Sequence, residues 1–163
     1  MFIYSVRAST VRIFALAFLC LVAVAALVIS GVGGGVVSAL GSASGVDYGG
    51  IKTADDRLEF IRSFGVEVDP ESEKAEAFRM PESFDRVILG YNELQKKQGL
   101  DLSKYHNKRV IRYTYKVTNY NSDGEVYANL FVYRGKIVAC DLSSADPSGF
   151  VVPMTLVSRN SLK

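Results

Sequence analysis

Pro81-Glu-Ser-Phe-Asp-Arg-Val-Ile-Leu-Gly-Tyr-Asn-Glu-Leu-Gln-Lys-Lys-Gln-Gly-Leu-Asp-Leu-Ser-Lys-Tyr105 is the stretch on which the fold turns. Its first two-thirds predicts a helix. Pro81 suits a first helical position, where a missing N–H costs nothing. Glu82 and Asp85 in the first turn, and Lys96 and Lys97 in the last, match the helix dipole. Gly99 suits a left-handed cap that Leu100 closes with an apolar contact. Phe84, Val87, Ile88, Tyr91 and Leu94 recur at three- and four-residue steps, giving one apolar stripe. That stripe needs a partner, and the strands that follow are the obvious one.

Upstream, Thr53 and Asp56 form a capping-box pattern ahead of an apolar face of Leu58, Ile61 and Phe64, with Gly65 ending a first helix. Residues 66–69 read as a short strand, 70–76 as an acidic loop and 75–80 as a short edge strand. Downstream come three strands, at 109–120, 125–133 and 136–142. The first two are joined through Asn121-Ser-Asp-Gly124, whose Asp-Gly is a hairpin signal, and the last two through Arg134-Gly135. Residues 150–157 are a possible last strand. The expected fold is α+β: two helices on one face of a mostly antiparallel sheet of three to five strands, preceded by a single transmembrane helix.

Pairing Tyr120 with Glu125 and Tyr133 with Lys136 sorts the side chains onto two faces. Ile111, Tyr113, Tyr115, Val117, Ala128, Leu130, Val132, Ile137 and Ala139 fall on the expected core face. Arg112, Thr114, Lys116, Tyr127, Asn129, Phe131, Tyr133, Val138 and Cys140 fall on the reverse. A one-residue slip would exchange the sets. On the reverse face Arg112, Lys116, Tyr127, Phe131 and Tyr133 mix cations with aromatic rings, which makes them the candidate partner surface if they stay open to solvent. The competing expectation is that Phe150, Val151 and Val152 fold back and cover them.

The first fifty residues read differently. Residues 13–29 are seventeen positions without a charge or strong polar group, behind Arg7 and Arg12. Extended to residue 32, the run reaches the roughly 20 residues that a bilayer core requires. Arginines ahead of a span keep the N-terminus cytoplasmic. The expected organisation is a cytoplasmic N-terminus at 1–12, a transmembrane helix at 13–32, a Gly/Ser/Ala linker at 33–50 and an extracytoplasmic domain at 51–163. A cleaved signal peptide is the alternative, though the apolar run exceeds the usual 7–15 residues.

Of 19 Lys and Arg in the chain, 17 remain beyond Arg12 to face 17 Asp and Glu. That balance implies no nucleic-acid footprint. Charge is nevertheless uneven: residues 67–85 are acidic, and residues 96–116 are basic. Such a basic field suits a solvated face, or a surface for anionic lipid, wall polymer or an acidic partner. His106 is the only histidine, so no multi-His metal site is possible, and no cofactor motif is present. Asn119-Tyr-Asn-Ser-Asp-Gly124 imitates a calcium loop but has Leu130 where a bidentate Glu belongs. Cys140 reads as a small buried residue.

Five motifs resemble the family known as domain of unknown function 4830 of Gram-positive bacteria. They are Lys52-Thr-Ala-Asp-Asp-Arg-Leu-Glu-Phe60, Met80-Pro-Glu-x-Phe84, the run from Tyr91-Asn-Glu-Leu-Gln95 to Tyr105, Arg112-Tyr-Thr-Tyr115 and Val117-x-Asn-Tyr120. They cover about residues 51–142. The family's last strand ends in a Gly-Gly-Asp-like triplet, where this chain has Ala139-Cys140-Asp141. The resemblance implies a small exported domain behind one span, and it transfers no catalytic residue. The expected function is binding or envelope sensing, by a protein or cell-envelope partner, without enzymatic activity. The rival expectation is an exported enzyme using carboxylates, with Asp101, Asp123 or Asp141 brought together.

Overall fold

The computed structural model describes residues 45–146 and 148–163. The apolar run at 13–32, the segment 1–12 expected to be cytoplasmic and most of the linker expected at 33–50 lie outside the described residues. Among the described residues no helix is long and apolar enough to cross a membrane.

Helix α1, Ala54–Arg62, starts where the capping box places it. Thr53 accepts from the Asp56 N–H at 3.1 Å, and the Asp56 carboxylate accepts from the Thr53 N–H at 2.7 Å. Helix α2, Arg86–Lys96, starts later than expected: Asp85 is its N-cap and accepts from Val87 and Ile88, so Pro81 lies ahead of the helix. Its other end follows the sequence. Gly99 has φ +80°, and the Leu100 N–H reaches back to the Gln95 carbonyl at 3.1 Å.

Five strands form one antiparallel sheet in sequence order: β1 Val68–Arg79, β2 Arg109–Val117, β3 Val126–Tyr133, β4 Lys136–Ser144 and β5 Val151–Pro153. Residues 66–80 hold one irregular edge strand, where the sequence suggested two strands and a loop. Its pairing shifts between Asp69 and Lys74, and Pro70 sits in that irregular part. A proline and a bulge are tolerated there because one side of an edge strand lacks a ladder.

The β2–β3 pairing differs from expectation by two residues. Ile111 faces Val132 and Tyr115 faces Ala128, because residues 118–125 form a longer connection than a tight hairpin. A two-residue slip preserves the faces. The β3–β4 pairing starts as expected at Tyr133 and Lys136, then shifts: Val132 faces Ile137, but Phe131 faces Ala139. The extra residue, Val138, exchanges the faces of everything after it. Cys140 and Leu142 therefore join the core face with Leu130 and Tyr115, while Ala139 joins the reverse face with Phe131.

The largest correction concerns the helices, which pack on opposite faces. Leu58, Phe60 and Ile61 of α1 cover Tyr115, Val117, Ala128, Leu130 and Val132. Tyr91 of α2 joins Met80 and Leu102 over Val110, Phe131, Val138 and Ala139. The buried positions of α2 are Ile88, Tyr91, Asn92 and Gln95, a helical stripe that includes two amides; Leu94 is only half-buried. The amide oxygens of both bond backbone, while the buried Gln95 Nε2 has no partner among the described residues. Asn92 accepts from the Leu102 N–H at 2.7 Å, and Gln95 from the Cys140 N–H at 3.0 Å.

Candidate functional site

The reverse face divides into a covered half and an open half. Phe131 is 3% exposed, with the Phe78 ring edge-on at 5.8 Å and the Tyr91 ring tilted at the same distance. Tyr133 packs against Tyr105 at 5.5 Å. Arg112 stands at the seam, half-buried, and donates to Glu76 at 2.6 Å. At the open half, exposed Lys116 pairs with Glu125, and Tyr127 donates to the same carboxylate at 2.7 Å. The five predicted residues are thus not one exposed patch: Phe131 is core, and Lys116 and Tyr127 remain accessible. The cover comes mainly from α2 and Phe78; of the C-terminal tail, Val151 packs against this cluster, while Phe150 joins the core on the other face. Residues 151–153 extend the sheet beside β4, and Phe150 stacks on Tyr120 at 5.1 Å.

Beneath α2 lies a polar cluster that the sequence reading did not assemble. Asp141 is fully buried and accepts from the Tyr91 hydroxyl at 2.6 Å and from the Asn129 amide at 2.9 Å. Asn129 also donates to Ser143 at 2.9 Å and accepts from Thr114 at 3.0 Å. Burial raises the Asp141 pKa to about 6, against the opposing pull of the two donors and of Arg112. Burial, and then the neighbouring carboxylate, push Tyr91 well above its ordinary value. The arrangement is a tyrosine hydroxyl donating to an acid, closed off from water. Each member has a partner, which locks the helix to the sheet. The signal was present in the sequence: Asn129, Asp141 and Ser143 interrupt otherwise apolar strands. The bulge at Val138 hid it, because without the bulge Asp141 is assigned to the other face.

On the core face a second cluster joins α1 to β1 and β2. Arg57 donates to Tyr115 at 2.8 Å, to the Thr53 carbonyl at 2.9 Å and to both Glu73 oxygens at 3.0 and 2.8 Å, and its guanidinium lies 3.8 Å over the Tyr113 ring. Tyr115 also donates to Glu73. Burial would raise the Glu73 pKa, but the bonds from Tyr115 and Arg57 outweigh it and hold it below the usual range.

The other residues weighed from the sequence are placed separately. Asp101 caps the 3-10 helix Leu102–Tyr105, and its bonds from Asn92 and Ser103 lower its pKa to about 2. Asp123 is exposed in the β2–β3 connection. His106 contacts the Pro81 carbonyl at 3.0 Å, and its ring lies 4.3 Å from that of Phe84. Cys140 is fully buried, and burial pushes its thiol well up. Among the described residues no group of three His, Cys, Asp or Glu side chains is placed to hold a metal ion. A shallow groove of about 520 Å³ lies between residues 45–51 and α1, lined by Asp47, Asp56, Glu59, Phe60 and Phe64.

Residues 60–142 match the model of a family described as a domain of unknown function (DUF4830). No curated protein and no solved structure matches the chain.

Proposed function

Since the chain belongs to the DUF4830 family, whose description gives no activity, we propose the function from sequence and geometry together: a membrane-anchored extracytoplasmic domain that works by binding. The observation that carries the anchored reading is the sequence of an uncharged run at 13–29 behind two arginines, followed closely by a segment stitched into a folded domain. That stitching is direct. The Ile137 N–H donates to the Tyr48 carbonyl at 2.7 Å, and the Ile51 N–H to the Gly135 carbonyl at 2.9 Å. Any force on the span is therefore transmitted into β4 and the β3–β4 turn.

Binding is favoured over catalysis because the perturbed acids serve internal bonds. Glu73 holds Arg57 and Tyr115, Asp101 holds Asn92 and Ser103, and Asp141 holds Tyr91 and Asn129. A catalytic acid must reach the atom it protonates, and these three are committed elsewhere. The open half of the reverse face, with Lys116 and Tyr127, is the surface offered to a protein or envelope partner.

Ser122→Cys gives an exposed thiol in the β2–β3 connection, beside a Cys140 that is buried. The anchored reading expects a membrane-impermeant thiol reagent to label it on intact cells, and the protein to stay in the membrane pellet after alkaline washing. Labelling only after lysis, or release to the medium with a new N-terminus, sinks the reading.

A further inference from the structure

We infer that one end of the sheet is a docking surface for the anionic face of the membrane in which the chain is anchored, an inference that rests on the anchored reading above. In an antiparallel meander alternate connections meet at the same end. Here the end of β1, the start of β2 and the β3–β4 turn come together. Arg79 faces Arg109 in register, Tyr133 faces Lys136 beside Arg134, and Met80 bonds Lys108 through its N–H at 2.9 Å. The Leu102–Tyr105 helix reaches the same place, since Tyr105 packs on Tyr133. Arg79, Lys104, Lys108, Arg109, Arg134 and Lys136 are all exposed there, and none forms a salt bridge among the described residues. The acids near this end are Asp47, Asp55, Asp56, Glu82 and Asp85, of which Asp56 and Asp85 cap helices, and Lys52 and Arg86 stand beside them. Cations are in excess.

Two further observations give this end an occupant. The first is the like-charge pair: Arg79, whose guanidinium donates to the Asn107 carbonyl at 2.7 Å, stands opposite Arg109. Neither has an acid among the salt bridges of the described residues, so an anion above the two would relieve their repulsion. The second is the path of the chain. Residues 48–51 bond the β3–β4 turn, so the segment coming from the apolar run arrives at this end of the domain. Only residues 33–44 separate position 32 from the described domain, and twelve residues span at most about 40 Å. The opposite end carries Glu67, Asp69, Glu71, Asp123, Glu125 and Asp146 against Lys116 and Lys163, a net acidic balance. It lies the length of β2 away, roughly 25–30 Å, several Debye lengths at physiological salt. It therefore neither cancels the basic field nor competes for the bilayer. A domain tethered at its basic end and repelled at its acidic end takes one orientation, with the open half of the reverse face held to the side.

The experiment uses the full chain with Cys20→Ser, reconstituted into vesicles and labelled at Ser83→Cys near the basic end or at Ser122→Cys at the acidic end, with a quencher carried on the lipid. With phosphatidylglycerol mixed into phosphatidylcholine, the Ser83 probe is quenched and the Ser122 probe is not. Salt near 1 M releases it, because the screening length falls to about 3 Å. The triple change R79Q, R109Q and R134Q lowers the docked-to-free ratio roughly a hundredfold, from about a fivefold loss per basic residue near an anionic surface. The charge-keeping triple R79K, R109K and R134K retains docking, which separates charge from fold. Equal quenching of the Ser83 probe on pure phosphatidylcholine overturns the inference, as does quenching of the Ser122 probe. Binding to soluble polyphosphate without quenching on vesicles assigns the surface to a free polyanion and also overturns it. Loss of the chain on alkaline washing overturns the anchoring instead. In that event flotation of the released chain with anionic vesicles, which the basic end still requires, decides this inference by itself.

Discussion

Asp141 makes stability depend on pH in an unusual direction. Its pKa stands at about 6 in the folded domain against an ordinary value of 3.8, because burial under α2 outweighs the donors Tyr91 and Asn129. The folded state thus holds this proton more tightly than the unfolded chain does. The contribution is fully present below about pH 4 and is lost as pH rises through 6. A shift of about two units corresponds to about 3 kcal/mol at 1.4 kcal/mol per unit. Acids with lowered pKa values, Glu73 and Asp101 among them, act oppositely, and their stability is lost only at lower pH. Those terms are common to wild type and Asp141→Asn, so the difference between the two isolates Asp141. The variant keeps its oxygen for Asn129 and turns its amide toward the Tyr91 oxygen. Urea unfolding of residues 45–163 from pH 4 to 7.5 should show the wild type losing about 3 kcal/mol relative to Asp141→Asn, at constant m-value. Parallel profiles for the two proteins would falsify this account of the buried acid.

Four further outcomes follow from the packing. Ile88→Ala should cost about 2–5 kcal/mol in melting or urea experiments, while half-buried Leu94→Ala should cost about 1; equal losses would place Leu94 in the core. Arg57→Ala should cost about 2–3 kcal/mol, less than the 3–5 of a fully buried pair because the Glu73 side chain is 27% exposed, and Arg57→Lys should recover only part of the loss. Gly99→Ala, at φ +80°, should cost about 1 kcal/mol in the same assay. Truncation after Asp146 removes β5 and the fully buried Met154, so it should lower stability by at least about 2–5 kcal/mol and raise binding of a dye to apolar surface. Unchanged stability and dye binding would show that the tail is not part of the core.

Local signals in the sequence were read correctly where the chemistry is local. The Thr53–Asp56 box and the Gly65 and Gly99 turns each depend on a few neighbouring residues, and each is found in place. The faces of β2 and β3 survived a misplaced turn because the error was an even number of residues. What failed was non-local. A single extra residue at Val138 moved Asp141 under α2 and Cys140 into the main core, and nothing in Lys136-Ile-Val-Ala-Cys-Asp141 announces which position bulges. The side of the sheet taken by α2 was likewise hidden, since its stripe includes Asn92 and Gln95. The oxygens of those amides meet backbone groups, at Leu102 and Cys140, which only the tertiary structure supplies.

The sorting of charge shows how topology creates a property that composition lacks. Beyond the N-terminal arginines the chain has equal numbers of cations and anions, and a neutral sum gives no reason to expect an oriented molecule. A meander reverses direction at every strand, so the connection leaving β1 and the turn after β3 share one end, while those after β2 and β4 share the other. The strand ends and the turn at the first pair carry Arg79, Arg109, Arg134 and Lys136, and the second pair of connections carries Asp123, Glu125 and Asp146. Inserting one more strand between β1 and β2 would bring Arg109 to the acidic end and erase the separation without changing a single charge. The polarity is thus a consequence of strand parity. It places the positive pole at the end where the chain arrives from its apolar run, which is the arrangement an anionic bilayer would hold.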